Sequence, residues 1–119
     1  MDVTPESITI ESSGKDGFFY AIQTIRQLLP SVIEKKEQQQ TAWNVAAIKI
    51  VDSPRFTYRG VMLDVSRYFI PKEMVLRVID GMSMIKLNKL HLHLVDGNGW
   101  RLEIKKYPLL TEVGAWRVK

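Results

Sequence analysis

Apolar residues in the first half of the chain follow two different periods. Residues 7–10 alternate between polar and apolar, which is typical of a short β-strand, and the Ser, Gly and Asp residues of 12–17 indicate a turn. From residue 18 to residue 29 the apolar positions recur every three or four, which predicts a helix with Asp16 as N-cap and Pro30 at its end. We expect this helix to bury one face, formed by Phe18, Ala21, Ile22, Ile25, Leu28 and Leu29.

A polar stretch separates this helix from a second predicted strand. Residues 34–40 carry no apolar side chain and indicate an exposed loop, whereas 43–51 supplies Val and Ile residues suited to a strand. The Asp-Ser-Pro-Arg segment at 52–55 then interrupts the pattern, because Pro54 has no amide hydrogen for a sheet ladder. We therefore predict a domain boundary at this segment.

The second half of the chain has the pattern of a strand, a helix and a strand. Residues 58–65 are too uniformly apolar for a half-exposed strand and favour a parallel sheet covered on both faces. Pro71 suits the first turn of a helix, and residues 89–95 return to a strand pattern. The order predicts a right-handed βαβ crossover with parallel strands. Its helix should bury a stripe formed by Met74, Val75, Val78, Ile79, Met82 and Ile85.

Composition restricts the classes of function. Of the 119 residues, 45% are hydrophobic and 25% are charged, which is typical of a folded globular protein. The chain has no Cys, which excludes disulfides and thiolate metal sites, and its net charge of +4 is spread along the sequence among acidic residues. No apolar run is long enough to span a membrane, and no signal peptide is evident. The sequence therefore predicts neither a nucleic-acid nor a membrane partner and leaves localisation open.

Several motifs of the chain stand in the order in which they occur in a known protein family. The run at 58–69, Tyr-Arg-Gly-Val-Met-Leu-Asp-Val-Ser-Arg-Tyr-Phe, resembles the first barrel strand and following loop of family 20 glycoside hydrolases, the β-N-acetylhexosaminidases. Residues 86–96 are similar to the family's second strand, and 99–104 to the segment after it. In the first half, 19–24 and 52–56 resemble the helix and closing linker of the small domain that precedes the barrel. The resemblance covers nearly the whole chain.

The resemblance implies an α/β fold, namely an incomplete (β/α)8 TIM barrel that is represented by its first βαβ unit and preceded by part of a small α+β domain. Residues 1–53 are then the C-terminal part of the accessory domain, and 54–119 the truncated start of the catalytic domain. A full barrel takes roughly 250 residues. Family members are often secreted, periplasmic or lysosomal.

The activity implied by the resemblance is the removal of terminal N-acetylhexosamine from glycans by substrate-assisted retaining hydrolysis, without a cofactor. The family's adjacent Asp-Glu catalytic pair belongs to a later barrel strand, and the sequence contains no such dipeptide. We therefore expect a fragment that carries no catalytic residue and is inactive by itself.

Arg67 is the first candidate for binding substrate. It follows the first barrel strand, on the face where such barrels form their active sites, and the family pattern implies that it holds the non-reducing sugar. A guanidinium can bridge two vicinal hydroxyls with its fork of donors. Without the resemblance, the simpler interpretation is an exposed loop residue or an ion pair with Asp64.

His93 and Asp96 are the other candidates for the substrate site. His91 and His93 lie two apart on a strand and so face one side, which is also the spacing of half a zinc site. Asp96 would be the third ligand, but strand alternation directs it elsewhere unless the chain turns, and the family pattern contains no metal. We expect His91 to fill the barrel interior and His93 and Asp96 to support the sugar-binding groups. Asp96 alternatively caps a turn at Gly97, where many family members have a second acid.

Two other classes of function stay open, a stand-alone carbohydrate-binding or interaction module and a small metal-binding domain. Trp100, Tyr107 and Trp116 have rings that can stack on sugars, although packing is the simpler interpretation. The second strand of the βαβ unit would lack a neighbour on one edge, so we expect a homo-oligomer that pairs through it.

Overall fold

The computed structural model describes residues 1–116, and the chain divides into two compact units, Met1–Thr57 and Tyr58–Lys119. No helix among the described residues combines the length and the apolar character needed to cross a membrane. The candidate substrate residues all belong to the second unit.

The first unit contains a small antiparallel sheet. Its strands are β1 (Asp2–Val3), β2 (Ile8–Thr9) and β3 (Ile48–Lys49), in the order β2-β1-β3. The helix α1 (Lys15–Leu28) follows β2, and a 3-10 turn spans Ser31–Glu34. The strand predicted within 43–51 is therefore much shorter than expected, and the central strand β1 was missed.

The helix α1 departs from its prediction at its start and on its buried face. Gly14 is the N-cap instead of Asp16, and its carbonyl accepts from the Gly17 amide at 3.1 Å. The Ser12 hydroxyl braces Gly14, since it accepts from the Gly14 amide at 3.2 Å and donates to the Gly14 carbonyl at 2.8 Å. Asp16 lies inside the first turn, where its carboxylate faces the positive end of the helix dipole. The buried residue of the helix is Gln23, whereas Phe18 and Ile22 are 43% and 56% exposed. Three strands of two residues offer too little area to cover the predicted face.

The second unit has the predicted order of strand, helix and strand. The strands β4 (Gly60–Asp64) and β5 (Lys89–His93) form a two-stranded parallel sheet, and α2 (Lys72–Met84) connects them. The short helix α3 (Leu109–Glu112) lies near the end of the described segment. In the register of the sheet Gly60 pairs with Lys89, and Asp64 pairs with His93. The last residues of both strands therefore lie side by side.

The return from α2 to β5 is fixed by backbone hydrogen bonds. The Leu87 amide donates to the Met82 carbonyl at 2.9 Å and the Lys86 amide to the Ser83 carbonyl at 3.1 Å, which is a Schellman ending with Lys86 at φ 61°. The Arg59 side chain donates through Nε to the Lys86 carbonyl at 2.9 Å. These contacts hold the start of β5 beside the start of β4.

Among the described residues of the second unit, the buried hydrophobic side chains are Val65 and Met82. On α2, Val75 and Val78 are half-buried beside Met82. The prediction that the rest of the stripe is buried is wrong, because Met74, Ile79 and Ile85 are exposed. The sheet beside this helix has two strands among the described residues, which is too little area to bury the whole stripe.

Candidate functional site

The candidate site lies at the carboxyl ends of β4 and β5. Asp64 and His93 are the last residues of these strands and occupy paired positions in the parallel register. The loops that follow start at the same edge of the sheet and carry Arg67 and Asp96. The topology thus brings together residues that are 29 positions apart in sequence.

Arg67 is held between two carboxylates. Its Nη2 donates to Oδ2 of Asp96 at 2.9 Å, and its Nη1 lies 3.2 Å from Oδ2 of Asp64. The simpler interpretation of Arg67, an ion pair with Asp64, describes a contact that exists, and a second ion pair with Asp96 accompanies it. The Arg67 side chain is still 68% exposed, so a ligand in solvent can reach its guanidinium.

Asp64 also shapes the backbone that carries Arg67. Its Oδ1 accepts hydrogen bonds from the amides of Ser66 at 3.1 Å and Arg67 at 3.0 Å. This carboxylate thus closes a tight turn directly after the strand and forms an ion pair with the guanidinium of Arg67, which lies on that turn. Sequence reasoning treated Asp64 only as a competing partner. An Asp at a strand end, two residues before a Ser, was the available signal for such a turn.

The Asp96 carboxylate accepts hydrogen bonds from three donors. Its Oδ1 accepts from the Gly97 amide at 2.7 Å, and its Oδ2 accepts from His93 Nε2 at 3.0 Å and from Arg67. The Gly97 hydrogen bond, followed by those from His93 and Arg67, lowers the pKa of Asp96 from 3.8 to about 2. Asp96 is therefore ionised at neutral pH. Because an ionised carboxylate can only accept, Nε2 of His93 carries the proton in this contact.

The two histidines have different surroundings. His93 turns towards Asp96, whereas His91 is exposed on the two-stranded sheet. The barrel interior that His91 is expected to fill requires further strands, so that expectation stays a prediction. Alternation would direct Asp96 away from His93 unless the chain turns, and the chain does turn, because β5 ends at His93 and the Asp96 carboxylate accepts from the Gly97 amide. Residues 1–116 contain no group of three or more His, Cys, Asp or Glu side chains arranged to hold a metal ion.

A buried serine joins the two loops beneath this cluster. Ser66 is fully buried, and its Oγ lies 2.6 Å from the Asn98 carbonyl and 3.0 Å from the Gly99 carbonyl. Gly99 has φ 69°, and a Cβ at that position would lie 2.3 Å from the Ser66 carbonyl oxygen. Only glycine allows this approach of the two loops.

The three aromatic candidates differ in their exposure. Trp100 is half-buried and donates through Nε1 to the Leu102 carbonyl at 2.6 Å, which supports a packing role. Tyr107 and Trp116 are 56% and 78% exposed.

Comparison with known proteins matches both units. A family model described as the catalytic domain of glycosyl hydrolase family 20 matches residues 56–119, and one described as domain 2 of that family matches residues 1–53. The chain is 44% identical over 112 residues to a beta-hexosaminidase of Porphyromonas gingivalis, covering 94% of the chain and 14% of that relative. It is 46% identical over 117 residues to the N,N'-diacetylchitobiase of Vibrio harveyi, covering 98% of the chain and 12% of that relative. The chain thus spans about an eighth of each.

Solved structures give the same result. A Vibrio harveyi exo-β-N-acetylglucosaminidase superposes with a TM-score of 0.85 at 45% identity, over 97% of this chain and 17% of that chain. A Streptomyces plicatus β-hexosaminidase in complex with its product, GlcNAc, superposes with a TM-score of 0.77 at 47% identity. That match covers 82% of this chain and 19% of the Streptomyces chain.

Proposed function

This chain belongs to glycoside hydrolase family 20, and we propose that it supplies the part of a β-N-acetylhexosaminidase that holds the terminal sugar. In this proposal the segment 54–119 begins a (β/α)8 catalytic barrel, and 1–53 is the end of the α+β domain before it. The substrate class is a terminal N-acetylhexosamine. This is also the class named for relatives such as the Streptomyces enzyme with bound GlcNAc.

One observation carries the proposal: Arg67 is held by two carboxylates and is nevertheless largely exposed. Here Asp64 and Asp96 fix the plane of the guanidinium while solvent still reaches it. A preorganised fork of this kind matches two neighbouring hydroxyls of a sugar ring at a low entropic cost.

Asp96 and His93 act through Arg67 and through the charge of the site. The Asp96 carboxylate keeps the guanidinium in place and compensates its charge, and the His93 imidazole fixes the other side of that carboxylate. Removal of the carboxylate would take away one of the two ion pairs that orient the Arg67 guanidinium. We therefore assign His93 and Asp96 to the support of the binding group.

The chemistry itself requires groups that the chain lacks. In substrate-assisted retaining hydrolysis the N-acetyl oxygen of the substrate attacks the anomeric carbon, while an acid protonates the leaving oxygen. In this family an adjacent Asp-Glu pair orients the acetamido group and supplies the acid, and the sequence contains no such dipeptide. We propose that the chain binds the sugar and that residues outside it perform the hydrolysis.

A chimera tests the proposed role of Arg67. The chain replaces the matching segment of the Vibrio harveyi chitobiase, to which it is 46% identical, and kcat/KM is measured on a chromogenic N-acetylglucosaminide. Arg67→Lys keeps the charge and loses the fork. The loss of a hydrogen bond to a charged donor corresponds to about 2 kcal/mol, or roughly 30-fold in kcat/KM.

Arg77→Lys is the matched control. Arg77 lies on α2, where its Nη1 is 3.9 Å from the Met74 sulfur, and its substitution should leave kcat/KM within about two-fold. The proposal fails if Arg67→Lys and Arg77→Lys have equal effects. It also fails if the unsubstituted chimera folds but hydrolyses nothing.

A further inference from the structure

Arg101 lies where the two loops of the site meet a third segment. Its Nε donates to the Val65 carbonyl at 3.0 Å, and its Nη2 lies 3.4 Å from the Ser66 carbonyl. Its Nη1 donates to the Ala115 carbonyl, and the guanidinium lies over the Phe69 ring at 5.3 Å. The guanidinium thus contacts three carbonyl oxygens through its nitrogen atoms and an aromatic ring through one of its faces.

The backbone of Arg101 adds a contact with the loop that follows β5. Its amide donates to the Leu94 carbonyl at 3.0 Å, one residue past the end of β5. Val65 and Ser66 directly precede Arg67, and Leu94 is two residues before Asp96. One residue therefore touches both pieces of chain from which the pair of Arg67 and Asp96 projects.

The chemistry of these contacts is specific to arginine. Three carbonyl oxygens that converge from different directions match a planar guanidinium, whose donors point outward in a fixed fan. A lysine has a single ammonium on a flexible stem and cannot reach all three acceptors in that arrangement. Charge alone would therefore not maintain the geometry.

We propose that Arg101 is a positioning residue that sets the relative placement of Arg67 and Asp96. The inference rests on the proposed function, because the placement matters to catalysis only if Arg67 binds the sugar. Arg101 touches neither member of the pair through its side-chain donors. Its side chain acts through the Val65 and Ser66 carbonyls, while its backbone amide holds the Leu94 carbonyl.

The experiment uses the full 119-residue chain and measures the contact between Arg67 and Asp96 in the absence of sugar. The carboxyl carbon of Asp96 is followed by 13C NMR as a function of pH in Arg101→Lys, which keeps the positive charge and loses the fork. If Arg67 moves away from Asp96, that carboxylate loses one of its donors, and its titration midpoint rises towards the ordinary value of 3.8. Arg101→Met removes the fork and the charge together and should raise the midpoint at least as much.

Lys105→Met is the matched control, because Lys105 is an exposed cation on the same segment. It removes a charge without touching the loops and should leave the Asp96 midpoint unchanged. An Arg101→Lys chain with an unchanged Asp96 midpoint would overturn the inference. Equal shifts in Arg101→Lys and Lys105→Met would overturn it as well, since the effect would then be general electrostatics.

Failure of the proposed function gives a different result. In that case Arg101→Lys shifts the Asp96 titration as expected, while Arg67→Lys leaves kcat/KM of the chimera intact. Arg101 would then organise an ion pair that has no part in sugar binding.

Discussion

Substitution of Gly99 tests whether the close approach of the two site loops is required by the fold. In Gly99→Ala the new methyl group would lie 2.3 Å from the Ser66 carbonyl oxygen, far inside van der Waals contact. The backbone at this position has φ 69°, in the left-handed region that alanine disfavours. Either the Gly99 loop or the Ser66 loop must move.

Two costs add up in this substitution. A residue with a Cβ in the left-handed region loses roughly 1 to 2 kcal/mol relative to glycine. Movement of the loops also separates the buried Ser66 hydroxyl from the Asn98 and Gly99 carbonyls, and a buried polar group left without partners costs about 1 to 3 kcal/mol. The expected loss in the free energy of unfolding is on the order of 3 kcal/mol, a large part of the stability of a small domain.

Urea unfolding followed by tryptophan fluorescence measures the loss, because Trp100 is the neighbour of the substituted residue. Gly97→Ala is the matched control. A Cβ at Gly97 would meet no atom within 4 Å, so that variant should unfold within about 0.5 kcal/mol of the parent. Equal unfolding midpoints for Gly99→Ala and Gly97→Ala would refute the reasoning, because steric contact with Ser66 would then not be a constraint.

Three further predictions concern the Asp96 carboxyl, hydrolysis by the chain alone and the edge of β5. The Asp96 carboxyl should titrate near pH 2, so the stability from its contacts is complete above pH 3.8 and is lost as the pH falls to about 2. Asp96→Asn should abolish that part of the acid dependence, and an unchanged acid profile would contradict the assignment. The chain alone should release no chromophore from an N-acetylglucosaminide; turnover that co-purifies with the chain and disappears in Arg67→Ala would disprove this. The chain should also self-associate through the edge of β5, with amides of 89–95 protected from hydrogen exchange more strongly at higher concentration, and a monomer with those amides protected would exclude this pairing.

The strands and helix around the site could be predicted from the sequence because their patterns are local. The uniform apolar run before Asp64 and the helical stripe after Pro71 each specify their own element, and a βαβ connection then makes the strands parallel. Parallel strands end at one edge of their sheet, which is why Arg67 and Asp96 could be expected near each other. The structure agrees with both steps, since Asp64 pairs with His93.

The contacts that hold the site together could not be predicted in the same way. Arg101 binds carbonyl oxygens about 35 residues away, and the polarity pattern of side chains carries no information on where carbonyl groups point. β1 has only two residues, Asp2 and Val3, so no alternation could reveal it. Its partner β3 lies 45 or more residues further along the chain, where Val3 pairs with Ile48.

The most direct measurement of the central claim is a crystal structure of the unsubstituted chimera with N-acetylglucosamine bound. We predict that the Arg67 guanidinium lies at hydrogen-bond distance, about 2.8 to 3.1 Å, from two neighbouring hydroxyls of the sugar while it keeps its contact with Asp96. A bound sugar whose nearest atom is more than about 4 Å from the Arg67 guanidinium would contradict the claim that this chain holds the terminal residue.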